Sequence, residues 1–393
     1  MALKSLSIGF IPLLDASILI AARERGFAEA EGLSLSLLRE TSWANVRDRI
    51  AVGHLDAAQM LAPMPIAANL GLTPFDAEVL VPMALGLGGN AVTLSTALAE
   101  GLSAFPPGDA AAAGAALRAH IKDTAASDAP MLRFGVVHPH SSHNLELRYW
   151  LAGCGIVPEQ DVEIVILPPT LMPDALRSGQ IDGYCVGEPW NTVAAQDRHG
   201  RILITKDDIW ASSPEKVLGV ARDKVEQEPE TVSALVRACH AAAAWCGAAD
   251  NHDDLAQLLS RPAYLDAAPD VIRAALAGPA AYEPFAKAAT FPWVSHALWF
   301  YTQLVRWGMI EPSADAESRV TGTYRPDLYR RALDGTGAVL PAANAKVEGA
   351  LEVAEYAGAA GGSLLLGPDG FFDGKRFDPD DVSGYIAGQK LPG

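Results

Sequence analysis

The chain has 393 residues, half of them hydrophobic and 20% charged, which excludes a disordered chain and is length enough for two domains. With 30 Lys+Arg against 47 Asp+Glu the formal net charge is −17 at pH 7. That charge excludes direct binding to nucleic-acid phosphates or to an anionic membrane, both of which need a basic footprint, and leaves a basic protein partner open.

From residue 5 the hydrophobic period alternates between strand and helix. A strand is predicted over residues 5–11, a helix over 15–25 closed by Gly26, a strand over 33–38, and a helix over 43–52 ended by Gly53. Strands over 55–60 and 78–85 continue a βαβ series and hence a largely parallel sheet. Residues 103–129 turn to Ala, Gly, Pro and Asp and read as a surface insertion or an outer helix over 110–121. The alternation restarts with strands over 131–137, 162–167 and 181–186 and helices over 144–152 and 170–178. After residue 215 the pattern is mostly helical, and the tail from Pro341 is rich in Gly and Ala. The start, Met1-Ala2-Leu3-Lys4-Ser5-Leu6, runs into the first strand without an apolar signal core, and the four cysteines form no C-x-x-C pair, so the expectation is a cytoplasmic protein with buried thiols.

The two halves repeat one plan. Gly53-His54-Leu55-Asp56-Ala57, with Pro63 ten residues after the glycine, recurs as Gly179-Gln180-Ile181-Asp182-Gly183 with Pro189 at the same distance. Two lobes on one plan imply a cleft between them, lined by loops at 41–45, 59–64, 86–91, 138–144 and 186–190 at the carboxyl ends of strands.

Gly86-Leu87-Gly88-Gly89-Asn90-Ala91 fits a dinucleotide fingerprint, but the next residues read as a strand where a helix should open, so a Gly-rich hinge is the better reading. His138-Pro139-His140 resembles a metal pair but lacks partner ligands at other strand ends, and a solvated loop is the plainer reading. Thr41 and Ser42 can cap the helix carrying Trp43, and Ser141 and Ser142 the helix carrying His143. Two helix N-termini facing one cleft favour an anion. Taken singly, Trp43 reads as a packing residue and His143 and Lys216 as surface residues. No Walker A loop, G-x-S-x-G or H-E-x-x-H accompanies them, so neither an enzyme nor a cofactor is indicated.

Several segments together resemble the nitrate- and bicarbonate-binding proteins of bacterial ABC importers, the NrtA/CmpA type. They are Gly9-Phe10-Ile11-Pro12-Leu13, Ser42-Trp43-Ala44-Asn45-Val46-Arg47-Asp48, Ala58-Gln59-Met60-Leu61-Ala62-Pro63, Arg148-Tyr149-Trp150-Leu151, Cys185-Val186-Gly187-Glu188-Pro189-Trp190-Asn191, Pro214-Glu215-Lys216, Phe291-Pro292-Trp293-Val294-Ser295-His296 and Phe377-Asp378-Pro379. The resemblance implies a two-lobed α/β periplasmic-binding-protein-like fold of the C-clamp type (type II) with the ligand cleft between lobes. Residues 1–88 and 206–340 would form the first lobe, 89–205 the second, and 341–393 a tail packing on the first.

It also implies the ligand residues: the tryptophan falls on Trp43, the histidine on His143, the lysine on Lys216 and a glutamine on Asn90, with backbone contacts from Val186 and Gly187. The absence of a signal sequence points to the cytoplasmic NasS-type branch, nitrate/nitrite sensors that hold a NasT-type ANTAR antiterminator and thereby regulate nitrate assimilation. The alternatives are the binding protein of a nitrate or bicarbonate importer and, in another class, a pyrimidine-synthase-like enzyme on the same fold. On this reading Trp43→Ala and Lys216→Ala weaken anion binding with little loss of stability, because both sit at a cleft surface.

Overall fold

Ten strands build two five-stranded sheets in the computed structural model, which describes residues 2–125 and 130–389. They are β1 Lys4–Phe10, β2 Leu33–Arg39, β3 Ala57–Leu61, β4 Val79–Ala84, β5 Asn90–Ser95, β6 Leu132–Val136, β7 Val162–Ile166, β8 Gly183–Gly187, β9 Gly200–Thr205 and β10 Lys216–Ala221. The first sheet runs β2-β1-β3-β10-β4 and the second β7-β6-β8-β5-β9, the same order in each. In both, the fourth strand alone is antiparallel to its neighbours. β5 leads the chain out of the first sheet into the second, and β10 brings it back.

Reading the residues after 215 as mostly helical missed β10, and no strand was expected over β9. Val217, Leu218 and Val220 are all enclosed, so β10 is apolar on both faces and lacks the alternation that marks a half-buried strand. The insertion at 103–129 contributes the helix Ala110–Ala125, whose Ala113 and Leu117 are fully buried while the Trp150 indole donates to the Ala110 carbonyl at 2.8 Å. Its residues 126–129 lie outside those described.

The sequence repeat is a structural repeat down to single hydrogen bonds. Gly53 and Gly179 adopt φ of 73° and 71°, a left-handed conformation that glycine reaches without steric cost. Asp56 Oδ2 accepts from the Ser7 N–H at 2.8 Å, and Asp182 Oδ2 from the Arg133 N–H at 2.8 Å. Each aspartate thus clamps the start of its strand, β3 or β8, to the neighbouring strand, β1 or β6. Leu55 and Ile181 between them are buried anchors.

At the outgoing crossing, Gly86, Gly88 and Gly89 all have positive φ. A Cβ on Gly86 would stand 2.2 Å from the ring of Tyr282, whose hydroxyl donates to the Leu85 carbonyl at 2.8 Å. The glycines therefore serve a tight chain reversal, and β5 follows where a dinucleotide site would need a helix.

The helix Pro229–Gly247 packs on the helix Ser17–Glu24 over the first sheet, burying Leu235, Cys239 and Ala242 against Ile18 and Ala22. Among the described residues no single helix is long and apolar enough to cross a membrane. The C-terminal tail is anchored twice. Buried Glu348 accepts from the Ser295 hydroxyl at 2.6 Å and pairs with Lys346, fixing the tail to the helix Val294–Arg306. Phe371 stacks on Trp210 at 4.8 Å, and Phe372 meets Tyr149 edge-on at 5.9 Å, so the tail touches the second lobe as well.

Candidate functional site

The two crossings explain how the candidate residues meet. Because β5 and β10 run against their neighbours, their first residues lie at the edge where the parallel strands end, and that edge is where α/β sheets bind ligands. Those first residues are Asn90 and Lys216. Trp43 opens the helix Trp43–Ala51, capped by the Ser42 hydroxyl, which accepts the Asn45 N–H at 3.2 Å. His143 lies in the first turn of the helix Ser142–Gly153, capped by Ser141, which accepts the Asn144 N–H at 3.0 Å. Val186 and Gly187 end β8, where Asn90 is cross-strand partner to Gly187. A Cβ on Gly187 would lie 3.2 Å from Asn90 Oδ1 and 3.6 Å from Asp15 Oδ2, so the backbone here runs close under the polar groups of both lobes.

All six residues are buried. For His143 and Lys216 this corrects the expectation of surface positions: both are 0% exposed. It also corrects the expectation that Trp43 and Lys216 could be removed with little loss of stability. Lys216 Nζ stands 5.4 Å from the Trp43 ring centroid, a cation over an aromatic face. The Trp43 Nε1 and Asn90 Oδ1 atoms have no hydrogen-bond partner among the described residues.

What ties the site together is a residue that sequence reasoning did not single out. The carboxylate of Glu215 receives Lys216 Nζ on Oε1, and His143 Nε2 stands 3.1 Å from the same oxygen without a hydrogen bond to it. Its Oε2 accepts from Asn90 Nδ2 at 2.5 Å, from Lys206 Nζ at 2.8 Å and from the Ser142 hydroxyl. Lys216 also donates to Asp15 Oδ2 at 3.1 Å, and Asp15 is held by Gln59, whose Oε1 accepts the Ile11 N–H at 2.8 Å. Lys206 pairs with Glu146 at 3.0 Å. Burial alone would push Glu215 up, but the surrounding cations hold it well below the usual carboxylate range. The opposing charge comes from the lysines, because burial holds His143 down to about 3 and leaves it neutral at pH 7. Burial pushes Asp15 up against the pull of Lys216. The only sequence signal for Glu215 is its place beside Lys216; for Asp15, Glu146 and Lys206 there is none.

The lobes are joined around this cluster. The Leu14 N–H donates to the Glu188 carbonyl at 2.8 Å, and the Trp190 indole to the Pro12 carbonyl at 3.1 Å. The Glu188 side chain accepts the Thr192 N–H at 3.1 Å, and burial, outweighing the hydrogen bonds from Thr192, pushes its carboxyl up to about 7. The folded chain therefore binds a proton that the unfolded chain, near 4.5, releases earlier, so this group stabilises the fold at low pH and the benefit is lost as pH rises through 7. Glu188→Gln is expected to gain about 3 kcal/mol over the parent at pH 8 and under about 1 kcal/mol at pH 5. Denaturant unfolding at the two pH values checks it, and an equal difference at both would contradict the assignment.

The His138-Pro139-His140 loop is only partly solvated: Pro139 is exposed and His140 half-buried, but His138 is not the solvated residue expected. His138 is buried with its Nδ1 accepting the His140 N–H at 3.0 Å, and burial holds the two rings at about 3 and about 4. Among the described residues no group of three or more His, Cys, Asp or Glu is arranged to hold a metal.

Two lobes of one strand order, closed on a buried ionic cluster, define a mixed α/β periplasmic-binding-protein-like fold. Residues 2–260 match the NMT1-like family, and the chain belongs to that family. It is 30% identical to the nitrate/nitrite binding protein NrtA of Synechococcus elongatus, over 99% of this chain and 86% of that protein. It is 34% identical to the nitrate import ATP-binding protein NrtC of Synechocystis over 97% of this chain, and spans about half, 54%, of that relative's length. The crystal structure of the periplasmic nitrate-binding protein NrtA from Synechocystis matches with a TM-score of 0.85 at 25% identity, over 99% of both chains. The fold is of the NrtA type.

Proposed function

We propose that the chain is a non-enzymatic binding protein for a small planar oxyanion, nitrate or nitrite with bicarbonate as the competing ligand, acting as the binding component of an ABC importer. The observation that carries this reading is the buried convergence of Lys216, Trp43, Asn90 and His143, delivered from both lobes, in a chain of NrtA-type fold. Lys216 would supply the counter-charge, Asn90 and the Trp43 indole N–H would donate, neutral His143 can donate from one ring nitrogen, and the Val186-Gly187 backbone would bound the anion from below.

Of the relatives named above, one is a nitrate import protein and one a periplasmic nitrate-binding protein, which supports the importer reading over the NasS-type sensor with its NasT-type partner. An interlobe site serves either role, because both depend on anion-driven closure; a partner that reads the closed form would have to change anion affinity by the same factor in return.

Calorimetric titration with nitrate, nitrite, bicarbonate and sulfate tests the proposal. The expected result is one site per chain that prefers the planar monovalent anions to tetrahedral sulfate. Absence of binding to all four would overturn it.

A further inference from the structure

The charges around Glu215 leave no positive excess. Lys206 and Lys216 supply two cations, Asp15, Glu146 and Glu215 supply three carboxyl groups, and His143 is neutral at pH 7. A monovalent anion added to this enclosed cluster raises its negative charge with no water to screen it, which is unfavourable unless a positive charge enters too.

Glu146 is the group arranged to take that charge as a proton. It stands one turn after His143 on the helix Ser142–Gly153 and is 1% exposed. Apart from its ion pair with Lys206, neither of its oxygens has a hydrogen bond among the described residues. Glu215 is the opposite case, with Asn90, Ser142 and Lys206 all donating to it, and Asp15 receives both Gln59 and Lys216. A carboxyl group that is enclosed and lacks neutral donors is the one whose charge is least supported by its surroundings. The charged and titratable groups that face it are Lys206 and Asp207 from the turn after β9, Glu215 from the segment before β10, and Cys185 from β8. Burial, opposed by Lys206, raises its carboxyl to about 8.

We propose that in alkaline solution, where the Glu146 carboxyl group is ionised in the free protein, Glu146 couples anion binding to proton uptake: the group becomes protonated as the anion enters, so the net charge of the cluster is unchanged and Lys206 is released from one of its two carboxylates. The inference rests on the anion-binding reading above and assigns that site its pH dependence. Glu146 touches no bound anion in this scheme; it is a positioning residue that acts through Lys206.

Nitrate is the probe, because its own charge does not change across the range used. Titration calorimetry at pH 7, 8 and 9, in pairs of buffers with different ionisation enthalpies, reads the number of protons taken up. The wild-type chain is expected to take up close to one proton per nitrate at pH 9, and its affinity to fall about tenfold per pH unit above 8. Glu146→Gln, which fixes the neutral state, should bind nitrate without proton uptake and with flat affinity from pH 7 to 9. Nitrate binding by the wild-type chain with no proton uptake at pH 9 would overturn the coupling and leave the anion site standing. Wild-type proton uptake that persists with the same slope in Glu146→Gln would overturn the assignment to this residue. A wild-type chain that binds no nitrate at any pH would overturn the anion reading itself. The wild-type proton count decides the coupling even if the variant does not fold.

Discussion

Lys216→Met should cost the chain about 3–5 kcal/mol of stability, because it removes one partner of a buried ionic contact and leaves the others facing each other. The ammonium group is fully enclosed and sits between Asp15 and Glu215, carboxylates brought together by the return of β10 into the first sheet. Methionine fills a similar volume, so packing loss is minor and the charge term dominates. The destabilisation should shrink as pH falls. Burial already raises Asp15, the loss of Lys216 removes the main charge opposing that rise, and a protonated Asp15 no longer repels Glu215. Unfolding by urea at pH 5 and pH 8 measures both effects. In the same variant nitrate affinity should fall by about 30-fold or more, the worth of a charge-assisted contact of roughly 2 kcal/mol. A variant as stable as the parent at both pH values would mean that the lysine is not held between the two carboxylates.

That prediction differs from the one the sequence alone supports, and the difference shows where sequence reading stops. Trp43 and His143 were legible because a capping residue follows a strand and puts a helix N-terminus at the cleft edge, a purely local pattern. The two-lobe plan was legible in the G-x-[LI]-D repeat, whose aspartates make matching hydrogen bonds to Ser7 and Arg133. Lys216 was legible only as a family position, and its burial was not. A lysine next to a glutamate after a proline reads as an exposed turn until β10 is known to enter the middle of a sheet. Asp15, Glu146 and Lys206 escaped for the same reason, since they lie far apart in the chain and are paired only by the crossings between lobes.

Charge carries a related lesson. A net charge of −17 argued against polyanion partners, yet the site gathers two lysines around one carboxylate in a closed space. Local field and global charge are separate quantities once burial removes solvent screening. An external nitrate resembles the Glu215 carboxylate in being planar and singly charged, so the donors that satisfy one suit the other. Binding should therefore be an exchange of partners among Lys216, Asn90 and Lys206.

Trp43→Phe and Trp43→Ala should separate packing from recognition. The indole is 1% exposed within the apolar core that includes Ile11, Leu13 and Val46, so truncation to alanine is expected to cost about 3–5 kcal/mol, against the sequence expectation of a small loss. Phenylalanine retains most of that apolar area and should cost no more than about 1.5 kcal/mol. It removes the Nε1–H, which has no acceptor among the described residues, and weakens the ring face that Lys216 stands over at 5.4 Å. If that N–H donates to the bound anion, Trp43→Phe should lower nitrate affinity about tenfold through the loss of one charge-assisted hydrogen bond, with stability nearly intact. Calorimetric titration paired with urea unfolding of both variants reads the two effects independently. Parent-like affinity in Trp43→Phe would show that the tryptophan serves the site by packing alone, and the Ser142 hydroxyl, which already reaches the Glu215 carboxylate, would be the donor in its place.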